Sequence, residues 1–107
     1  MLMTDNGNLT LKYTYNAMAE YEEKFGRSLL LDAKSTTLPV IRRLVWAGLL
    51  HYPRGGFSVQ QVGDFIEQAI LNGADMLDIQ QEIAQAIDNA VFLQRLVEKS
   101  AQRQAKK

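Results

Sequence analysis

The chain has 107 residues, 47% of them apolar, with twelve basic residues balancing twelve acidic ones and no cysteine. That length fits one domain able to bury a modest core of its own, and the apolar share excludes a disordered tail. A neutral chain lacks the electrostatic footprint of a phosphate-backbone binder, and without cysteine there are neither disulfides nor thiolate metal sites, which fits a reducing compartment.

The longest apolar run, near Leu44–Leu50, falls far short of the roughly 20 residues that a membrane helix needs. Residues 1–8 lack the basic and apolar regions of a signal peptide. The expectation is therefore a cytoplasmic protein with no membrane partner, folded as a single domain over residues 1–107 and frayed at 1–8 and 103–107.

The chain changes period early. Leu9, Leu11, Tyr13 and Tyr15 alternate with Thr10, Lys12 and Thr14, which predicts a strand over Leu9–Thr14. From Asn16, read as an N-cap, helix formers place Ala17, Met18, Tyr21 and Phe25 at helical spacing, and Gly26 marks the stop. Leu29, Leu30 and Leu31 make a short apolar run that suits either a second strand or a loop plugging the core. A lone strand is not stable in water, so the first needs a partner, here or on another chain.

A second helix is expected over Thr37–Tyr52, capped by Ser35 or Thr36, with Pro39 in its first turn. Leu38, Ile41, Leu44, Val45, Leu49 and Tyr52 form its apolar face, which Trp46 and Leu50 widen. It should be the most buried helix. Pro53-Arg54-Gly55-Gly56 breaks it. Ser58 caps a third helix over Val59–Asn72, with Val62, Phe65, Ile66, Ala69 and Ile70 on one face. Trp46, Leu49, Val62, Phe65 and Ile66 are assigned to the core.

Asp75 caps the last helix, predicted over Met76–Gln102. Met76, Ile79, Ile83, Ala86, Ala90, Leu93 and Val97 step by three and four in a heptad seam. Acids early and bases late match the helix dipole. Such a helix of about 27 residues is about 40 Å long at 1.5 Å per residue, whereas a domain of this size has a radius near 13 Å. Two readings stand side by side: an amphipathic helix lying on its own domain, or a later half that outruns the domain and docks on another copy or on a different protein. Ile83, Ile87, Phe92, Leu93, Leu96 and Val97 are the candidate contact residues. The fold class is mainly α: a small four-helix domain with a minor β-strand or hairpin element near the N-terminus and a long C-terminal amphipathic helix.

No catalytic, cofactor-binding or metal-ligating residue is assigned. His51, the one histidine, has no nucleophile motif to serve and reads as a helix C-terminal residue favoured by the dipole. Glu20, Glu22 and Glu23 read as a solvated helix face, not a hard-metal site. Arg54-Gly55-Gly56 lacks the lysine and spacing of a phosphate loop. The second and third helices have helix-turn-helix length, so a small DNA-binding regulator using Arg42 and Arg43 is the alternative reading. The would-be reading helix, however, carries Asp64 and Glu67 and no lysine or arginine.

LTLKYTYNAMAEYEEKFGRSL resembles the opening of tail assembly chaperones of long, non-contractile-tailed phages and of related gene-transfer-agent proteins, through Leu11, Tyr13, Tyr15, Asn16, Ala17, Glu22 and Gly26. LPVIRRLVWAGLLHYPRGGFSVQQVGDFIEQA resembles the same family through Trp46, Ala47, Gly48, Leu49, Leu50, Ser58, Val62 and Gly63. The resemblance spans about residues 9–70 and its motifs are structural. It implies a non-catalytic assembly factor of the host cytoplasm that coats the tape measure protein before the tail tube polymerises and is absent from the mature virion. It also implies that a longer product can arise by ribosomal frameshift. The expectation is a protein that is no enzyme, needs no cofactor, and binds the tape measure protein and other copies of itself, not nucleic acid.

Overall fold

The structure is a computed structural model that describes residues 2–4, 7–52, 57–90, 92, 93 and 95. It is mainly α-helical. The helices are α1 (Tyr15–Phe25), α2 (Leu29–Asp32), α3 (Leu38–Gly48), α4 (Val59–Leu71) and α5 (Met76–Asp88). Two three-residue strands, β1 (Leu2–Thr4) and β2 (Gly7–Leu9), pair antiparallel with Leu2 opposite Leu9, and β1 lies against α4.

The strand expected over Leu9–Thr14 does not form. Only Leu9 belongs to a strand; residues 10–14 run without a ladder. The alternation there has another cause. Leu9 and Tyr13 turn inward and are buried, while Thr10 and Lys12 face out. The segment is laid along the end of α3 instead of along a neighbouring strand. The Lys12 amide donates to the Gly48 carbonyl at 2.9 Å, and the Tyr13 hydroxyl donates to the Leu44 carbonyl at 2.7 Å. Burial holds the Tyr13 hydroxyl protonated by pushing its pKa far up.

Gly48 makes that approach feasible. A Cβ there would sit 2.9 Å from Leu11 Cδ2 and 3.2 Å from Tyr13 Cζ, closer than carbon atoms tolerate. The W-A-G-L motif is thus a packing device: glycine lets a chain segment cross the helix end.

Local signals set most of the helix ends. Thr14, not Asn16, caps α1, its hydroxyl accepting from the Ala17 amide at 3.1 Å. Gly26 closes α1 at φ 70°, in the left-handed region. Leu29–Asp32 is a single helical turn, neither a strand nor a loop, so it does not pair with the first segment. α3 follows Thr37, not Ser35 or Thr36, at the N-cap position, where the Thr37 side chain makes no capping bond, and it ends at Gly48, four residues before the expected Tyr52. α4 and α5 open with capping boxes, Ser58 with Gln61 and Asp75 with Asp78.

α3 is the central helix. Ile41, Leu44, Val45, Ala47 and the following Leu49 are each 1% exposed or less, and α1, α2, α4 and α5 all pack on α3. Its Trp46 meets Phe25 of α1 edge-on at 5.5 Å, and Phe25 in turn meets Tyr21 at 5.0 Å.

Asp32 is buried at 3% exposure. Its carboxylate accepts from the Tyr21 hydroxyl at 2.7 Å and from Arg27 Nε at 2.8 Å. The Tyr21 hydroxyl, then Arg27, hold the Asp32 pKa below its ordinary value against the opposing effect of burial. The three residues clip α1 to α2. No buried side-chain nitrogen or oxygen among the described residues lacks a partner.

Candidate functional site: the groove between α3 and α4

The predicted C-terminal seam is largely spent inside the domain. α5 ends at Asp88, with Asn89 as its C-cap donating to the Gln85 carbonyl at 3.0 Å. Asp and Asn compete with helical hydrogen bonding through their own short side chains, and α5 breaks at this adjacent pair. The continuous helix expected from Met76 is thus interrupted at Asn89–Ala90; Phe92, Leu93 and Arg95 are again helical, and the rest of the predicted later half, to Gln102, lies outside the described residues.

Of the six candidate contact residues, Ile83 is 2% exposed and belongs to the core. Ile87, Phe92 and Leu93 are half-buried and pack against that core, with Phe92 edge-on to Tyr15 at 6.0 Å. Leu96 and Val97 lie outside the described residues. A heptad step looks the same in sequence whether the seam meets a partner or its own domain.

Of the large apolar side chains exposed among the described residues, Tyr15, Leu30, Leu31 and Leu77 lie apart, while Leu38, Ile70 and Leu71 border one groove. An open groove of about 620 Å³ runs between α3 and α4. Its α4 wall is one helical stripe: Gln60, Gly63 and Asp64, Glu67, then Ile70 and Leu71. The other wall is the first turn of α3, with Leu38, Pro39 and Arg42, and Met76 of α5 closes one end. Leu38 is 68% exposed, Ile70 42% and Leu71 80%.

The apolar arc of α4 is wider than its seat on the core. Val62, Phe65 and Ala69 are buried, while Ile66, assigned to the core from sequence, is only half-buried and lines the groove beside Ile70. Trp46, Leu49, Val62 and Phe65 are buried as expected. The signal for the groove was present in sequence as the surplus of that arc, with Leu71 lying next to it and Leu38 opening α3.

The remaining candidates have structural partners. His51 is exposed, and its Nε2 donates to the Thr10 carbonyl at 2.8 Å. That bond requires the proton on Nε2. Tyr52 accepts from the Thr10 amide at 2.8 Å. Together they pin the segment that crosses α3.

Glu20, Glu22 and Glu23 are exposed on α1. No group of three metal-ligating side chains occurs among the described residues. Arg54-Gly55-Gly56 lies outside them. Arg42 lines the groove, whereas Arg43 sits over the Phe25 ring at 5.1 Å; the two arginines serve different faces and make no common basic surface. No helix among the described residues is long and apolar enough to cross a membrane.

In comparisons with known proteins, no family model, curated protein or solved structure matches this chain.

Proposed function

We propose that the protein is a tail assembly chaperone of a phage or prophage, binding the tape measure protein and keeping it soluble in the host cytoplasm until the tube assembles, after which the chaperone is left out of the virion. The resemblance over residues 9–70 supports the assignment, and the observation that carries it is the α3–α4 groove, where Leu38, Ile70 and Leu71 stand in solvent beside a firmly closed core. A helical client with an apolar face needs a soluble partner that offers reversible apolar surface, and a groove of this kind takes a helix. Several copies along one client gain avidity without any tight single contact. The same surface is open to self-association.

The test is co-expression with the tape measure protein encoded nearby. The expected result is a complex on gel filtration and a rise in soluble client, both lost in Leu38→Lys/Leu71→Lys. A client that stays insoluble and never co-elutes with the wild type sinks the proposal.

A further inference from the structure

We propose that the occupant of the α3–α4 groove is an amphipathic helix whose apolar face is flanked by basic side chains on the edge that meets α4. The inference rests on the reading above of the groove as the client site and adds the chemistry of the bound segment.

Three observations lead to it. The first is length. From Gln60 to Leu71 the α4 wall spans twelve residues, about 16 Å at 1.5 Å per residue step, or three turns. That is a helix-sized cradle.

The second is Gly63. Glycine is the costliest residue after proline in a helix interior, and it stands here in the middle of α4, on the groove floor. A Cβ at Gly63 would meet only the Arg42 side chain, with Cδ at 3.2 Å. The backbone of α4 is therefore open to close approach from the groove side once the flexible arginine swings aside. Small residues play this part where two helices must come near each other.

The third is charge. Asp64 and Glu67 stand exposed on the α4 wall, and α4 carries no lysine or arginine. The groove's one basic residue, Arg42, arises from α3 and lays its side chain across the floor against Gly63. Two carboxylates against one guanidinium leave the α4 edge net acidic, and a bound helix that displaces Arg42 presents bases toward α4.

The probe is an 18-residue helical peptide with leucines along one face and lysines along one flank, compared with a twin carrying glutamates there. Each is titrated into the labelled full-length chain and followed by backbone amide shifts. The lysine peptide should bind about tenfold more tightly than its twin, the preference that two exposed charge contacts support, and should shift Gly63, Ile70 and Leu71. The Asp64→Lys/Glu67→Lys variant should reverse the preference, and at about 1 M salt, where screening acts within about 3 Å, the two peptides should converge.

Equal affinities, or shifts that map away from the groove, overturn the inference. So does groove-dependent dimerisation that Leu71→Lys abolishes while neither peptide binds, because the occupant is then a second copy. The two readings fail separately. A tape measure protein that still co-elutes with Asp64→Lys/Glu67→Lys but not with Leu38→Lys/Leu71→Lys removes the charge rule and keeps the chaperone. A lysine preference without any tape measure complex does the reverse.

Discussion

The two faces of α3 follow opposite rules. Toward α1, α2 and the crossing segment the polar contacts are closed: Tyr13 on the Leu44 carbonyl, the Lys12 amide on the Gly48 carbonyl, and Asp32 held by Tyr21 and Arg27. Toward the outer stripe of α4 the same helix leaves a groove with leucines in solvent. On the first face polar atoms are buried and satisfied, which fixes one arrangement. On the second, apolar atoms are left wet, which weakens no internal bond yet favours association. If the proposed client site is right, stability and recognition rest on different residues, and substitutions should separate them.

The largest effect should come from Ile83→Ala in α5. A fully buried isoleucine cut to alanine loses transfer energy and leaves a cavity, about 2–5 kcal/mol together. Urea denaturation should show a large fall in midpoint with little change in slope. Were Ile83 a partner contact, stability would hold and client binding alone would drop. Next is Gly48→Ala, whose new methyl would press on Leu11 and Tyr13 at 2.9 and 3.2 Å. The crossing segment must shift, at a cost of about 1–3 kcal/mol. A variant as stable as the wild type would mean that the segment does not cross there.

Asp32→Asn tests the clip on the same face. The amide keeps the shape but weakens the bonds from Tyr21 and Arg27, for a loss of about 1–2 kcal/mol at neutral pH. Because the folded state lowers the Asp32 pKa below its ordinary 3.8, the unfolded chain binds the proton more readily. The stabilisation is thus full above the unfolded value and disappears as pH falls through the folded one. Denaturation of the two proteins at pH 7 and near pH 2 should show the gap closing in acid. A gap independent of pH would assign the loss to packing and not to charge.

Much of this division was legible from residue types, and where it was not the cause is specific. Gly26, Pro39, Ser58 and Asp75 act locally, so the stop after Phe25 and the starts of α3, α4 and α5 could be read from the chain. The Leu9–Thr14 alternation reports one buried face but not what buries it; a helix end imposes the same period as a sheet. The heptad step after Met76 fits a helix lying on its own domain as well as one whose later half docks on a partner, and the break at Asp88-Asn89 carries no periodicity signal that chooses between them. The Asp32 clip joins residues eleven and five apart through a turn of leucines, a closure that no periodicity reveals. The groove needed the relative placement of α3 and α4, since Ile66 and Ile70 look like core on a helical wheel.

The smallest effect on folding should be the sharpest on function. Leu71 is 80% exposed at the end of the α4 stripe, so Leu71→Ala removes almost no buried area and should shift stability by no more than about 0.5 kcal/mol. If the groove holds a client helix, the same truncation removes an anchor that becomes buried only in the complex, and client affinity should fall by about tenfold, near 1.4 kcal/mol. Paired with Ile83→Ala, it forms a double dissociation: one variant unfolds early yet binds while folded, the other folds normally yet binds poorly. Calorimetric unfolding and client titration on the same two proteins decide it. Should Leu71→Ala bind at full strength, the wet leucines are ordinary surface and the recognition face must be sought elsewhere on the domain.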